Sequence, residues 1–141
     1  MNEPQVEPAI AQHVVFECLD AQGRAGALDA TLTYDVNDPY AVTVSFHTRV
    51  ESVAWTFARE LLSAGFDRPS GSGDVEAYPA IDCEGCAATV LELHAPEGSF
   101  VAQARTADLR HFLTSTCDVV PLGSELAHLD LDEMIRALLD R

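Results

Sequence analysis

At 141 residues and 15.2 kDa, the chain has the size of one domain that buries roughly two thirds of its unfolded surface, enough for a core without metal or disulfide staples. Asp and Glu number 23 against 8 basic residues, every one an arginine, for a formal net charge of -15; such a field repels phosphate backbones and anionic lipid surfaces, so nucleic-acid binding is not expected. Apolar residues make up 48% of the chain, yet none of its runs approaches the roughly 20 residues of a bilayer span, and the N-terminus is acidic, so neither direct membrane insertion nor a signal peptide is expected.

Residues 1–11 carry Glu3, Pro4, Glu7 and Pro8 with few apolar groups, the composition of a disordered acidic tail, and the folded domain is expected to occupy residues 12–141. Residues 14–19 are strand-like. Leu28, Ala30, Leu32 and Tyr34 then alternate with polar partners, as a half-buried antiparallel strand requires. Asn37-Asp38-Pro39 supplies turn chemistry before Val42, Val44 and Phe46 alternate again. Trp55 closes a brief fourth strand. The period then changes: Phe57 with Leu61 and Ala58 with Leu62 lie four apart, predicting a helix with Thr56 as N-cap and Gly65 as C-terminal cap.

After a loop over residues 69–73 the order repeats. Strands are predicted over residues 74–79, 86–94 and 100–105, with Ala95-Pro96-Glu97-Gly98 as a turn and a helix from Thr106 to the break at Pro121. The chain thus reads as strands then helix, twice, a pseudo-repeat without evident residue-level similarity between its halves. A last helix is predicted near the C-terminus, where Asp130 and Glu133 form a capping-box variant and Leu131, Met134, Ile135, Leu138 and Leu139 share one face.

The chemistry search is largely negative. Cys83-Glu84-Gly85-Cys86 matches C-x-x-C, but the second ligand pair of a structural zinc site is missing, and Glu84-Gly85 reads as a hairpin turn between strands. Reduced thiols are expected. His13, His47, His94, His111 and His128 show no metal-ligand spacing, so a metal site would need a tertiary coincidence. Gly71-Ser72-Gly73-Asp74 lacks the later glycine of a dinucleotide fingerprint and the lysine of a P-loop. Neither serine nor cysteine sits in a recognisable nucleophile arrangement. The expectation is a non-enzyme, with no catalytic, metal or cofactor residues.

Residues 38–75 carry four ordered strings: Asp38-Pro39-Tyr40-Ala41-Val42, Phe46-His47-Thr48, Trp55-x-Phe57-Ala58-Arg59-Glu60-Leu61-Leu62, and Arg68-Pro69-x-Gly71-x-Gly73-Asp74-Val75. With Pro96-Glu97-Gly98 and His128-Leu129-Asp130-Leu131-Asp132, they resemble the SsgA-like family of sporulation-specific cell-division proteins, closest to its B-type members. The resemblance implies an α+β fold of two antiparallel β-sheets with packed helices, similar to single-strand-binding whirly domains, assembled as a homotrimer. It further implies a cytoplasmic protein at the cell-division septum that recruits the tubulin-like division protein FtsZ, promotes its polymerisation and meets other septum-site division proteins. The C-x-x-C and the acidic tail depart from the family pattern.

Residues of the matched strings expected to be exposed, His47, Arg59, Arg68 and Asp74, are the candidate protein-interaction residues, while Tyr40, Trp55 and Phe57 are expected in the core. The whirly-like architecture leaves a single-stranded nucleic-acid-binding module as the competing reading. It is opposed by the acidic charge, because such grooves need positive charge and aromatic platforms. A small enzyme with an unrecognised site would need a deep pocket with converging polar groups.

Overall fold

The computed structural model describes residues 9–19, 22, 25–128 and 138–139. Seven strands form one antiparallel sheet: β1 (Ala9–Leu19), β2 (Ala25–Asp35), β3 (Ala41–His47), β4 (Ser52–Ala58), β5 (Val75–Ile81), β6 (Ala87–Ala95) and β7 (Gly98–Arg105). Helix α1 (Arg59–Gly65) follows β4, helix α2 (Thr106–Val119) follows β7, and a short 3-10 turn spans Glu125–His128. The order across the sheet is β4-β3-β2-β1-β7-β6-β5.

The expected pair of sheets is therefore a single sheet. Each half is a meander, as alternation predicts, but β1 also pairs with β7, placing Glu17, Cys18 and Leu19 opposite Gln103, Ala102 and Val101. Alternation reports which face of a strand is buried and not which outer strands meet, so this seam is invisible in the pattern. The sheet is strongly curled. Flat strands would place β3 and β7 about 14 Å apart at three inter-strand spacings, yet the rings of Phe46 and Phe100 stand 5.3 Å apart edge to face, and Phe16 meets Phe46 at the same separation.

Inside the curl a continuous core runs through both halves, including Phe16, Leu32, Val44, Leu62, Leu91, Leu93, Leu109 and Phe112. Helix α2 packs on β1, β6 and β7, whereas α1 packs on β5. The approach of α1 is unusually close: a Cβ on Gly65 would stand 2.5 Å from Ala77 Cβ, so only glycine lets the two backbones meet. Gly65 is thus the last helical residue rather than a cap, and Phe66, in right-handed helical backbone, takes the C-cap position.

Three boundaries differ from expectation. β1 begins at Ala9 rather than near Gln12, because Ala9, Ile10 and Ala11 pair with Asp35, Tyr34 and Thr33 on β2. α1 begins at Arg59, not after Thr56; Thr56 stays in β4, its hydroxyl 2.8 Å from that of Thr43 on β3. Cross-strand pairing wins there over a four-residue helical spacing too short to nucleate alone. The C-terminal helix expectation lies outside the described residues, apart from Leu138 and Leu139, which are exposed.

The structure also gives the pseudo-repeat a residue-level form. His47 ends β3 opposite Ser52 on β4, and His94 lies near the end of β6 opposite Ser99 on β7. The first helical residues, Arg59 and Thr106, follow those serines at identical spacing. Both are buried, and each is preceded by an extended residue with φ -65°.

Candidate interaction surfaces and a carboxylate–histidine node

Among the four interaction candidates, three are exposed: His47, Arg68 and Asp74. His47 faces outward as alternation predicts, Nε2 2.8 Å from Thr31 Oγ1 and Nδ1 2.8 Å from Ser52 Oγ. Arg68 follows α1, its amide donating to Ala64 O at 3.1 Å, and Asp74 precedes β5, its carbonyl accepting the His94 amide at 2.8 Å. Arg68 and Asp74 belong to the connection between the halves and His47 to the first half, and among the described residues no hydrogen bond or ion pair joins them.

Arg59 corrects the expectation. It is 1% exposed, because β4 continues through Ala58 and its alternation carries Trp55, Phe57 and Arg59 to the inner face; a helix begun at Thr56 would have turned Arg59 elsewhere. Its guanidinium donates from Nη1 to Val120 O at 2.7 Å and to Thr116 Oγ1 at 3.3 Å, and from Nη2 to Glu125 Oε2 at 2.8 Å. The Tyr34 ring lies 5.0 Å from it. Glu125, 8% exposed, also accepts the Gly123 amide through Oε1 at 2.8 Å. The hydrogen bond from Arg59, opposed by burial, holds the Glu125 carboxyl below its usual range. Arg59 therefore locks the first half to the end of α2 and the 3-10 turn, a structural role that the sequence leaves hidden because Glu125 sits 66 positions away. Tyr40, expected in the core, is 48% exposed; Phe57 is buried and Trp55 half-buried, as expected.

Two concavities border these residues. A groove of about 250 Å³ between α1 and α2 is lined by Ser63, Phe66, Arg110, Leu113 and Thr114, among others, with the Arg110 guanidinium 4.9 Å from the Phe66 ring. A mainly apolar cleft of about 180 Å³ opens at the mouth of the curled sheet, between Leu28, Val53, Trp55, Leu93 and Phe100. Neither gathers the nucleophile, base and oxyanion donors that a catalytic pocket requires. Cys83 and Cys86 are exposed free thiols in the β5–β6 turn. Asp82 Oδ1 shapes that turn by accepting the amides of Glu84 and Cys86, each at 2.9 Å, and Gly85 adopts φ +82° there.

Outside the candidate set, β5 and β6 assemble a node absent from the sequence reading. Register places Glu76 directly opposite Glu92, and His94 Nε2 lies 3.1 Å from Glu76 Oε2 and 3.6 Å from Glu92 Oε2. These three residues each bring one ligand atom, all within 4.8 Å of one another. Tyr78 donates its hydroxyl to Glu92 Oε1 at 2.7 Å, and Ser99 Oγ lies 2.9 Å from His94 Nδ1. Burial, with that hydrogen bond to Glu92, pushes the Tyr78 phenol up to about 12. The available signals were Glu92-x-His94 and Glu76-x-Tyr78, each pair on one strand face; the strand register needed to join them is not written in either.

The sequence matches the family described as Streptomyces sporulation and cell division protein, SsgA, over residues 28–125. This chain belongs to the SsgA family. It is 42% identical over 111 residues to the sporulation-specific cell division protein SsgB of Streptomyces coelicolor, covering 78% of this chain and 80% of that protein. An SsgA-like sporulation-specific cell division protein from Thermobifida fusca superposes with a TM-score of 0.82 at 34% identity, covering 96% and 98% of the two chains. A second solved structure, from work correlating SsgB mutations with longitudinal cell division during sporulation of Streptomyces coelicolor, gives 0.81 at 34% identity, with 89% and 99% covered. The SsgA family consists of cell-division regulators, not enzymes. Among the described residues, no helix is long and apolar enough to cross a membrane.

Proposed function

We propose that this SsgA-family protein acts in sporulation septation by binding the division machinery: it localises to septum sites, recruits FtsZ and promotes its polymerisation, working from the cytoplasm as a homotrimer. The observation that carries this reading is the family match across residues 28–125, joined by relatives named sporulation-specific cell division proteins. Residues 12–141 act in this reading as one SsgA-like domain, supported by the continuous core through both halves, with β1 extending it to Ala9. We also retain the whirly-like comparison at the level of curled antiparallel strands with packed helices. His47, Arg68 and Asp74 are the surface residues through which contact is proposed, and Arg59 has the structural role of holding the first half to Glu125.

The test is sedimentation of polymerised FtsZ from the same organism with and without the protein, paired with titration of a single-stranded oligonucleotide at fixed salt. Co-pelleting, increased polymer and no oligonucleotide binding are expected. Salt-sensitive oligonucleotide binding with no effect on the polymer would overturn the reading in favour of a nucleic-acid module, against which the charge of -15 stands.

A further inference from the structure

We propose that Glu76, Glu92 and His94 form a binding site for a divalent transition-metal ion of the zinc class. The inference is independent of the FtsZ reading. Directly opposed like charges destabilise an antiparallel pair, yet β5 and β6 place two glutamates opposite each other in a chain already carrying a charge of -15. Among the described residues, the ion pairs of both carboxylates run to His94, so a cation at the centre of the node would offset the repulsion between them. A divalent ion supplies two positive charges there and matches the donor set.

Imidazole nitrogen and carboxylate oxygen are both donors that Zn²⁺ accepts, and three protein ligands leave a fourth position to solvent. The supporting residues are in place for it. Ser99 can accept Nδ1–H, which turns the Nε2 lone pair toward the carboxylates, and Tyr78 holds one oxygen of Glu92 so that the other faces the node. Because the Ser99 hydroxyl can also donate, the same geometry accommodates the metal-free ring with Nε2–H directed at Glu76. The three ligand side chains are 31–43% exposed and open to ions from solvent, and His94 Nε2 stands 3.1 and 3.6 Å from the two carboxylates, close to the roughly 3.3–3.6 Å between donors that tetrahedral bonds of about 2.0–2.2 Å require.

The other half of the molecule shows that the fold does not dictate these residues. At the matching node His47 occupies the place of His94 and Ser52 that of Ser99, while Thr31 and Ser45, opposite each other on β2 and β3, stand where β5 and β6 carry Glu76 and Glu92. The same backbone is satisfied there by hydroxyls. Carboxylates at the second node are therefore a choice of side chain, and the choice creates a cation ligand set.

The test is calorimetric titration of Zn²⁺ into chelator-stripped full-length protein carrying Cys83→Ser and Cys86→Ser, so that the exposed thiols do not compete. One bound equivalent is expected, with binding lost in His94→Gln and in Glu76→Gln and weakened about tenfold in Ser99→Ala. Co²⁺ added in place of Zn²⁺ should give visible absorption that disappears in His94→Gln. Far-UV circular dichroism confirms folding of each variant, and Glu92→Gln serves if another ligand variant unfolds. Absence of binding, or binding unchanged by the ligand substitutions, would overturn the site and leave the node as an ion pair only.

Discussion

At the end of β3, His47 bridges Thr31 and Ser52 through neutral hydroxyls; at the corresponding place in β6, His94 bridges Ser99 and a pair of carboxylates. Hairpin spacing, strand register and the entry into the following helix are shared. The halves also diverge where their helices begin. Arg59 reaches across the molecule to Glu125, whereas the Thr106 side chain meets Thr89 on the adjacent β6, hydroxyl to hydroxyl at 2.8 Å. They diverge again one turn and a half later, where α1 has Gly65 pressed on Ala77 and α2 has the fully buried Phe112. A repeated backbone can thus carry a latch, a node or a tight helix seat in one half and not in the other.

The largest effect is expected from Arg59→Met, which strands Glu125 in a buried site and should cost about 3–5 kcal/mol in denaturant unfolding. The same pair sets an acid dependence. Glu125 has its folded-state pKa below the ordinary 4.5, so its contribution is complete above that value and is lost as pH falls through the lower folded value. Unfolding midpoints followed down this range should fall less steeply in Glu125→Gln than in the parent. Equal slopes would remove the latch from the account.

Gly65→Ala should cost about 1–3 kcal/mol, because the added methyl drives α1 away from β5. A double-mutant cycle with Ala77→Gly should show a favourable coupling of at least about 0.5 kcal/mol; simple additivity would mean that the close seat is relieved elsewhere. Thr106→Val should cost about 1–2 kcal/mol by leaving the Thr89 hydroxyl unpaired, well below the loss at Arg59. If the two helix-start substitutions cost the same, the proposed asymmetry of the halves fails. The smallest change is expected from Thr31→Glu with Ser45→Glu, which copies the second node into the first. Metal-free stability should drop by about 0.5 kcal/mol, and calorimetry should detect a second equivalent of Zn²⁺.

Much of the fold is legible in residue order alone. Leu28 to Tyr34 and Val42 to Phe46 alternate cleanly because one face of each strand meets the core, and the Ala95–Gly98 segment announces its turn through its own backbone preferences. Trp55 to Leu62 misleads because a strand and a helix share that stretch, and cross-strand pairing of Thr56 with Thr43 decides the boundary. The exposed candidates His47, Arg68 and Asp74 follow from alternation and turn composition. Arg59 does not, since its burial depends on a strand phase fixed by β3 and on a partner far along the chain. The Glu76–Glu92–His94 node is hidden for a related reason: each residue is unremarkable alone, and only the register of two strands makes them neighbours.

The short join between β1 and β7 has a consequence for how the chain could be cut. Residues 71–74 are exposed and precede a strand whose principal neighbour is β6. A polypeptide opened there yields two fragments, each a meander followed by a helix, that meet through Glu17, Cys18 and Leu19 against Gln103, Ala102 and Val101, the seat of α1 on β5 at Gly65 and Ala77, the shared core and the Arg59–Glu125 pair. Such fragments should complement one another when co-expressed, and Glu125→Ala should weaken their reassembly. The protein then becomes a two-piece reporter whose recovery marks where and when both pieces coincide in a dividing cell.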